Sequence, residues 1–292
     1  MSYFKLNLSR YIERFVGRFD WTTLDLVYLR KWTIIGIIIG VLSGLLVIAA
    51  YEAIRIFSSF FLSDIVRYVQ PYPEDVANLS SNYSLYVLKP WLIPVILGLI
   101  GLMIGILSTK LSTAIGKNGI DEISDEFHNK KNQFSLKISL LRSFSSILAV
   151  GSGISGGIED SLAHTGSTLG SIMGRIFKLD EEEIRIAIAA GMGSTIGGIL
   201  RLPFGGAIFS LELLYRRDFI IKSLYPAFLA SITSYIISGI ILNWPSFLYV
   251  PQEFITKTTL QSLAAYGIIA ALIGIIGIGY VRTIQIFQKH FE

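Results

Sequence analysis

The chain has no cysteine. That excludes a disulfide framework, a zinc–thiolate site and a cysteine nucleophile. It is also short of charge: 16% of residues are Asp, Glu, Lys or Arg, against about 25% in an ordinary soluble domain. Neither a phosphate-binding Walker A loop nor a Rossmann glycine fingerprint is present. There is no Gly-x-Ser-x-Gly elbow with ordered partners, so Ser152 in Gly151-Ser152-Gly153 reads as packing or backbone access rather than as a nucleophile. His164 near Glu159 and Asp160 does not have a metal-ligand spacing. No coherent catalytic set emerges, and neither an enzyme, a metal nor a cofactor is expected. A net charge of +4 is modest and reads as loop charge near anionic lipid, with no nucleic-acid partner expected.

What is present is apolar surface and glycine: 52% hydrophobic residues and 27 glycines in 292. The densest glycine stretch runs from Gly151 to Arg217. In water each glycine would cost a helix about 1 kcal/mol. In a membrane, small residues let helix backbones approach, and helices break where protein lines a cavity. The composition therefore points to an all-α, polytopic membrane protein, with this stretch as its core.

Residues 3–20 read as an amphipathic helix at the membrane surface or a cap on the bundle. A first spanning helix is expected from Trp32 to about Ile54, with Gly36, Gly40 and Gly44 as a close-packing face. Residues 58–89 are polar and aromatic, interrupted by Pro71 and Pro73. A second span is expected from Trp91 to Ser108, with Gly98, Gly101 and Gly105 on another packing face. The lysines between 110 and 137 suggest the cytoplasmic side, as do Arg216, Arg217 and Lys222. A short helix is expected from Ile120 to His128, then helices from Ile138 to Val150, Leu162 to Phe177, Ile184 to Met192, Leu202 to Tyr215, Leu224 to Leu242 and Ser262 to Phe287. Thr165, Ser167, Thr168 and Ser171 imply that the Leu162–Phe177 helix faces protein or water. Several segments between 118 and 215 are too short to be plain spans, which points to a transporter or channel site in mid-membrane. The organisation expected is an N-terminal segment over residues 1–31, a transmembrane part over 32–242, and a connection with a long helix over 243–292.

Three places have chemistry to offer. Glu159 follows Gly156-Gly157-Ile158 and precedes Asp160. If a helix starts there, its N–H groups and dipole attract an anion, and the carboxylate can occupy that place itself. The alternative is an ordinary acidic pair capping a helix. Glu212 lies on an apolar helix, where it either provides proton or water access or pairs with Arg216, four residues on. Asn118, in Lys117-Asn118-Gly119-Ile120, either donates its amide to an anion or forms a turn or N-cap.

Gly151-Ser-Gly-Ile-Ser-Gly-Gly-Ile-Glu159 resembles the GSG-x-x-x-G-[KR]-E-G-P signature of the CLC chloride channels and chloride–proton exchangers. Ile158 replaces the basic residue, and Asp160 and Ser161 replace Gly-Pro. Lys117 to Glu122 is similar to the family's GSGIPE helix start, with Asn118 at the anion-coordinating serine. Ala189-Ala190-Gly191 through Leu202-Pro203-Phe204-Gly205-Gly206 to Glu212 is similar to its AAG…APL-x-G-x-[LI]-F-x-x-E run. Leu213 falls where proton-coupled members commonly have an internal glutamate.

The resemblance implies a CLC-like first half of an inverted repeat and the long helix beginning the second half. It implies that anion is held by Asn118, Gly119 and Ile120 at one helix start and by Gly157, Ile158 and Glu159 at the other, with Glu159 as gate. The expected function is chloride (anion) transport, channel-like or weakly proton-coupled, and incomplete in a lone chain. The alternative is a nonconducting assembly or scaffold subunit. Expected partners are chloride or related anions, membrane lipid, and a second copy or a complementary second-half chain. The expected location is the cell membrane, as a multi-pass protein.

Overall fold

The computed structural model describes residues 26–68, 89, 91–110, 123–124, 126–128, 134–215, 221–243 and 260–291. The expectations for residues 3–20 and for Asn118, Gly119 and Ile120 lie outside these. So does most of the 58–89 loop. Eight α-helices are seen among the described residues: α1 Leu26–Ser58, α2 Leu92–Lys110, α3 Leu136–Gly151, α4 Glu159–Ile176, α5 Glu181–Ile199, α6 Pro203–Tyr215, α7 Leu224–Leu242 and α8 Leu260–Phe291. A π-helical turn, Ser59–Val66, prolongs α1. Ile123, Ser124 and Glu126 to His128 are also helical.

The chain forms two units, one holding α1 to α7 and the other holding α8. Three helical stretches are long and apolar enough to cross a membrane: Leu26–Val66, Leu224–Leu242 and Gln261–Phe287. The shorter Leu92–Leu107 is apolar throughout.

In the larger unit α5 is the central element. Every residue from Ile186 to Ile199 is buried. A helix that is apolar or small all round is one that other helices surround, and α1, α4, α6 and α7 all pack on α5. Its sides are matched to these neighbours by small residues and hydroxyls. Ser194 donates to Ser43 of α1 at 2.7 Å, and Ser231 of α7 donates to the Gly193 carbonyl at 3.1 Å.

The closest approach is between α4 and α5, which run antiparallel. A Cβ on Gly170 would collide with the backbone of Ala187, and one on Gly191 with the backbone of Gly166. Continuing along the seam, Gly174 abuts Ile184 and Gly166 abuts Thr195. This register brings the start of α4 to the end of α5, where Ile158, Leu162 and Ile199 share one apolar cluster with Val47 of α1.

The other side of α4 is joined to α3 by hydroxyls. Ser143 donates to the Ser161 carbonyl at 3.0 Å and lies 2.7 Å from the Thr165 hydroxyl. Ser139 lies 2.9 Å from His164 Nδ1 and 2.6 Å from the Thr168 hydroxyl. Thr165, Ser167, Thr168 and Ser171 of α4 are all buried and therefore face protein. Bonds of this kind contribute about 0.6 kcal/mol each inside a membrane.

Several boundaries differ from the sequence expectation, for physical reasons. α1 begins six residues before Trp32 because Arg30 and Lys31 do not end it; Lys31 pairs with Glu183 at the start of α5. α5 does not stop at Met192 but continues through Gly193, Gly197 and Gly198, whose lack of side chains admits α6, α7 and α1. Ser59–Val66 is helical rather than irregular. Of the two expected glycine faces, that of α1 packs: Gly40 rests on Ala230 and Thr233 of α7. Gly98, Gly101 and Gly105 of α2 do not, with no described atom within 4 Å of a Cβ placed there.

Candidate functional site

α3 ends at Gly151. Ser152 caps it, donating to the Ala149 carbonyl at 2.7 Å. Gly153 then turns the chain in the left-handed region, φ 98°, and residues through Gly157 lead into α4. Ser152 is thus a buried backbone cap rather than a reactive hydroxyl.

Glu159 is the first residue of α4. The residue at the N-cap position is Ile158, in helical backbone with no side-chain cap bond. An isoleucine has no acceptor to offer the first-turn N–H groups, where Ser, Thr, Asp or Asn usually supplies one. The dipole of the 18-residue helix leaves partial positive charge at this end. Ile158 itself is buried, anchoring the helix start in the apolar cluster, while Glu159 is exposed.

The Glu159 carboxylate folds back toward the preceding residues. Its Oε2 occupies the space where a Cβ on Gly157 would stand. Gly157 thus leaves its backbone open and the carboxylate covers it. Of the residues expected to hold an anion, Gly157, Ile158 and Glu159 are neighbours in the chain at this helix start, while Asn118, Gly119 and Ile120 lie outside the described residues. A carboxylate at this place and a mobile anion would use the same positive end of the helix.

His164 is 2% exposed, with its Nδ1 beside the Ser139 hydroxyl in the α3–α4 seam, unlike exposed Glu159. Among the described residues, no three His, Asp or Glu side chains are gathered as a metal site. Glu212 is exposed on α6, and Leu213 beside it is half-buried against the cluster that contains Leu211 and Leu214. The expected partner of Glu212, Arg216, lies outside the described residues.

Two residues near Glu159 were not anticipated. Tyr51 of α1 donates its hydroxyl to the Ile199 carbonyl at 3.0 Å, at the end of α5. Arg201 stands in the link between α5 and α6, in left-handed backbone at φ 59°. Tyr51 lies within electrostatic reach of both Arg201 and Glu159. No sequence spacing could have revealed this, because the three residues come from three separate elements. The available signal was a lone arginine between two apolar helices.

A family profile described as voltage gated chloride channel matches residues 86–292. The chain is 23% identical over 210 residues to the H(+)/Cl(-) exchange transporter ClcA of Vibrio parahaemolyticus, covering 70% of this chain and 44% of that protein. It is 25% identical over 144 residues to a chloride/fluoride channel protein of Pseudomonas syringae pv. tomato, covering 49% and 31%. Among solved structures, a slow cyanobacterial Cl-/H+ antiporter matches with a TM-score of 0.64 at 19% identity, over 85% of this chain and 55% of that one. A CLC-type fluoride/proton antiporter matches with 0.62 at 20% identity, over 87% and 57%. The chain spans less than half the length of these two curated relatives and a little over half of the solved chains. The fold is therefore the all-α, polytopic membrane fold of those antiporters. With the profile covering well over half of the sequence, the chain belongs to the voltage gated chloride channel family.

Proposed function

We propose that this chain supplies one side of an anion pathway through the cell membrane, and that Glu159 is its gate. The observation that carries the reading is the start of α4: an apolar N-cap, a bare Gly157, and a carboxylate folded over it. The chloride and fluoride transport named for the relatives fits a site of this kind. Asn118, Gly119 and Ile120 are proposed as a second set of donors from another helix start. Further donors would come from a second copy or a complementary chain, which makes the 292-residue chain alone a poor conductor.

The mechanism follows from charge. At high pH the ionised carboxylate holds the positive end of α4. Protonation removes its charge and weakens that hold, so anion takes the place and flux rises as external pH falls. Asp160 is the adjacent ionisable group in the chain, and Glu159 acts electrostatically on Tyr51 of α1. Proton coupling is proposed to be weak, because Leu213 has no proton to exchange; Glu212 is the candidate for any residual route.

The test is chloride flux from liposomes holding the complete assembly, with protons recorded at the same time. Glu159→Gln should raise basal flux and flatten its pH response. No flux from a folded, complete assembly would sink the transport reading and favour a scaffold subunit. A fixed proton-to-chloride ratio would reject weak coupling.

The proposed division is an N-terminal amphipathic segment over residues 1–31, whose last six residues already belong to α1, a CLC-like transmembrane half over 32–242, and a connection with a long helix over 243–292.

A further inference from the structure

The link between α3 and α4 is short and is pinned at both ends. At the α3 end the Ile154 N–H returns to the Ala149 carbonyl at 3.1 Å and the Gly153 N–H to the Val150 carbonyl at 3.0 Å, with Gly153 at φ 98°. This is a Schellman ending, in which the residue after the left-handed glycine often packs back on the last helical turn. Ile154 does so, sharing an apolar cluster with Leu148. At the α4 end Ile158 is buried in a different cluster, with Val47, Leu162 and Ile199. Between the two pins Ser155, Gly156 and Gly157 are exposed, and a Cβ on Gly156 would meet no described atom within 4 Å. The course of this run, and with it the approach to Glu159, depends on where its two ends are held.

The Ile154 pin is built by elements outside the link. Its cluster is completed by Val66 of the π-helical turn and by Ile96 and Ile100 of α2. Leu62 of the same turn lies against Gly153, with its Cδ2 3.3 Å from the place a Cβ would take. The Leu62 backbone is itself fixed. Its carbonyl accepts from the Arg67 N–H and, at 2.8 Å, from the Tyr68 N–H. The base of the turn is fixed too. Phe57 stands edge-on to Phe144 of α3 at 6.1 Å, and Gly151 makes room for it: a Cβ there would come within 2.6 Å of the Phe57 Cβ. π-helical turns are rare and are frequent at functional sites. This one carries Leu62 and Val66 onto the link that precedes Glu159.

We propose that Leu62 is a positioning residue for Glu159: by covering the left-handed turn at Gly153 it fixes the path along which Ser155 to Gly157 enter α4. The purpose of this positioning rests on the reading of Glu159 as the gate. The effect on the link itself does not, and it is measurable without transport.

The cysteine-free background allows the link to be read directly. In the full chain in lipid vesicles, nitroxide labels are placed at Ser155→Cys and Ile176→Cys, both exposed, and the distribution of distances between them is recorded by pulsed EPR. Ile176 is the last residue of α4, so the helix serves as the reference. A second pair, Ile176→Cys and Leu200→Cys, joins the ends of α4 and α5 without involving the link. Leu62→Ala empties the space over Gly153 and should broaden the first distribution about 1.5-fold or more, while the second keeps its width. Leu62→Val, a milder truncation, should broaden it less, and Leu62→Met should keep the parent width. In the complete assembly Leu62→Ala should also move the pH response of flux to higher pH, because a carboxylate less well seated at the positive helix end is protonated more readily; Leu62→Met should restore the parent response. A first distribution as narrow as the parent's in both Leu62→Ala and Leu62→Val, or an equal broadening of the second pair, overturns the proposal. So does an unmoved pH response in Leu62→Ala where Glu159→Gln still flattens it. The label distances involve no flux, so their failure is distinct from a failure of Glu159→Gln to open the pathway.

Discussion

α4 and α5 both begin with acidic residues, and the two beginnings are built differently. At α5, Asp180 accepts from the Glu183 N–H at 2.8 Å and Glu183 accepts from the Asp180 N–H at 3.4 Å, a reciprocal capping box. Lys31 from α1 then pairs with Glu183. At α4, Ile158 offers no cap, and Glu159 folds over bare glycine backbone. One helix start has its donors and acidic groups joined in fixed local bonds. The other presents a carboxylate that can leave, and behind it a positive helix end. The same residue type near the same helix position is structural in the first case and, as proposed above, the gate in the second.

The largest expected effect removes the frame that holds both starts. Gly170→Ala puts a methyl group into the Ala187 backbone, which cannot yield as a flexible side chain would. A loss of about 3 kcal/mol is expected, visible as a collapse of the monodisperse detergent-solubilised peak and of its melting temperature. Normal melting would show that the α4–α5 seam is looser than described.

Next comes the α5 start. Asp180→Ala should cost about 1 kcal/mol of stability through loss of the cap, while the pH response of anion flux keeps its parent shape. If thermal melting is unchanged but the pH response moves, the roles assigned to the two starts are reversed.

The smallest effect on stability is expected at Gly157. Gly157→Ala adds a methyl group where Glu159 Oε2 now stands, and a flexible carboxylate can move aside. Stability should change by no more than about 0.5 kcal/mol. Flux at neutral pH should rise, because the carboxylate loses its resting place. Unaltered flux would mean that this resting place does not close the pathway.

The contrast was only half legible in the sequence. Glu159 and Gly157 stand in a recognisable run, and a helix start could be expected beside them. The span of α7, Leu224–Leu242, follows from its apolar run alone. Glycines were harder to interpret, because the same residue has opposite meanings. In α5 they are where neighbouring backbones enter a continuous helix; in α2 they meet no described neighbour. Arg30 and Lys31 resembled a membrane boundary, but Lys31 has a partner 152 residues away. The Tyr51–Ile199 hydrogen bond is likewise tertiary, joining residues 148 apart that no local pattern relates. Sequence periodicity reports a helix's own faces; it does not report which helix covers them.

The most direct measurement is chloride flux as a function of external pH, comparing Glu159→Gln with the parent in liposomes that hold the complete assembly. Asp160→Asn is run beside them to separate the adjacent acid. With Glu159 as gate, Glu159→Gln should conduct more at neutral pH and respond little to acid, while Asp160→Asn keeps a pH-dependent rise. A folded Glu159→Gln assembly with the parent's flux and the parent's pH response would contradict that role.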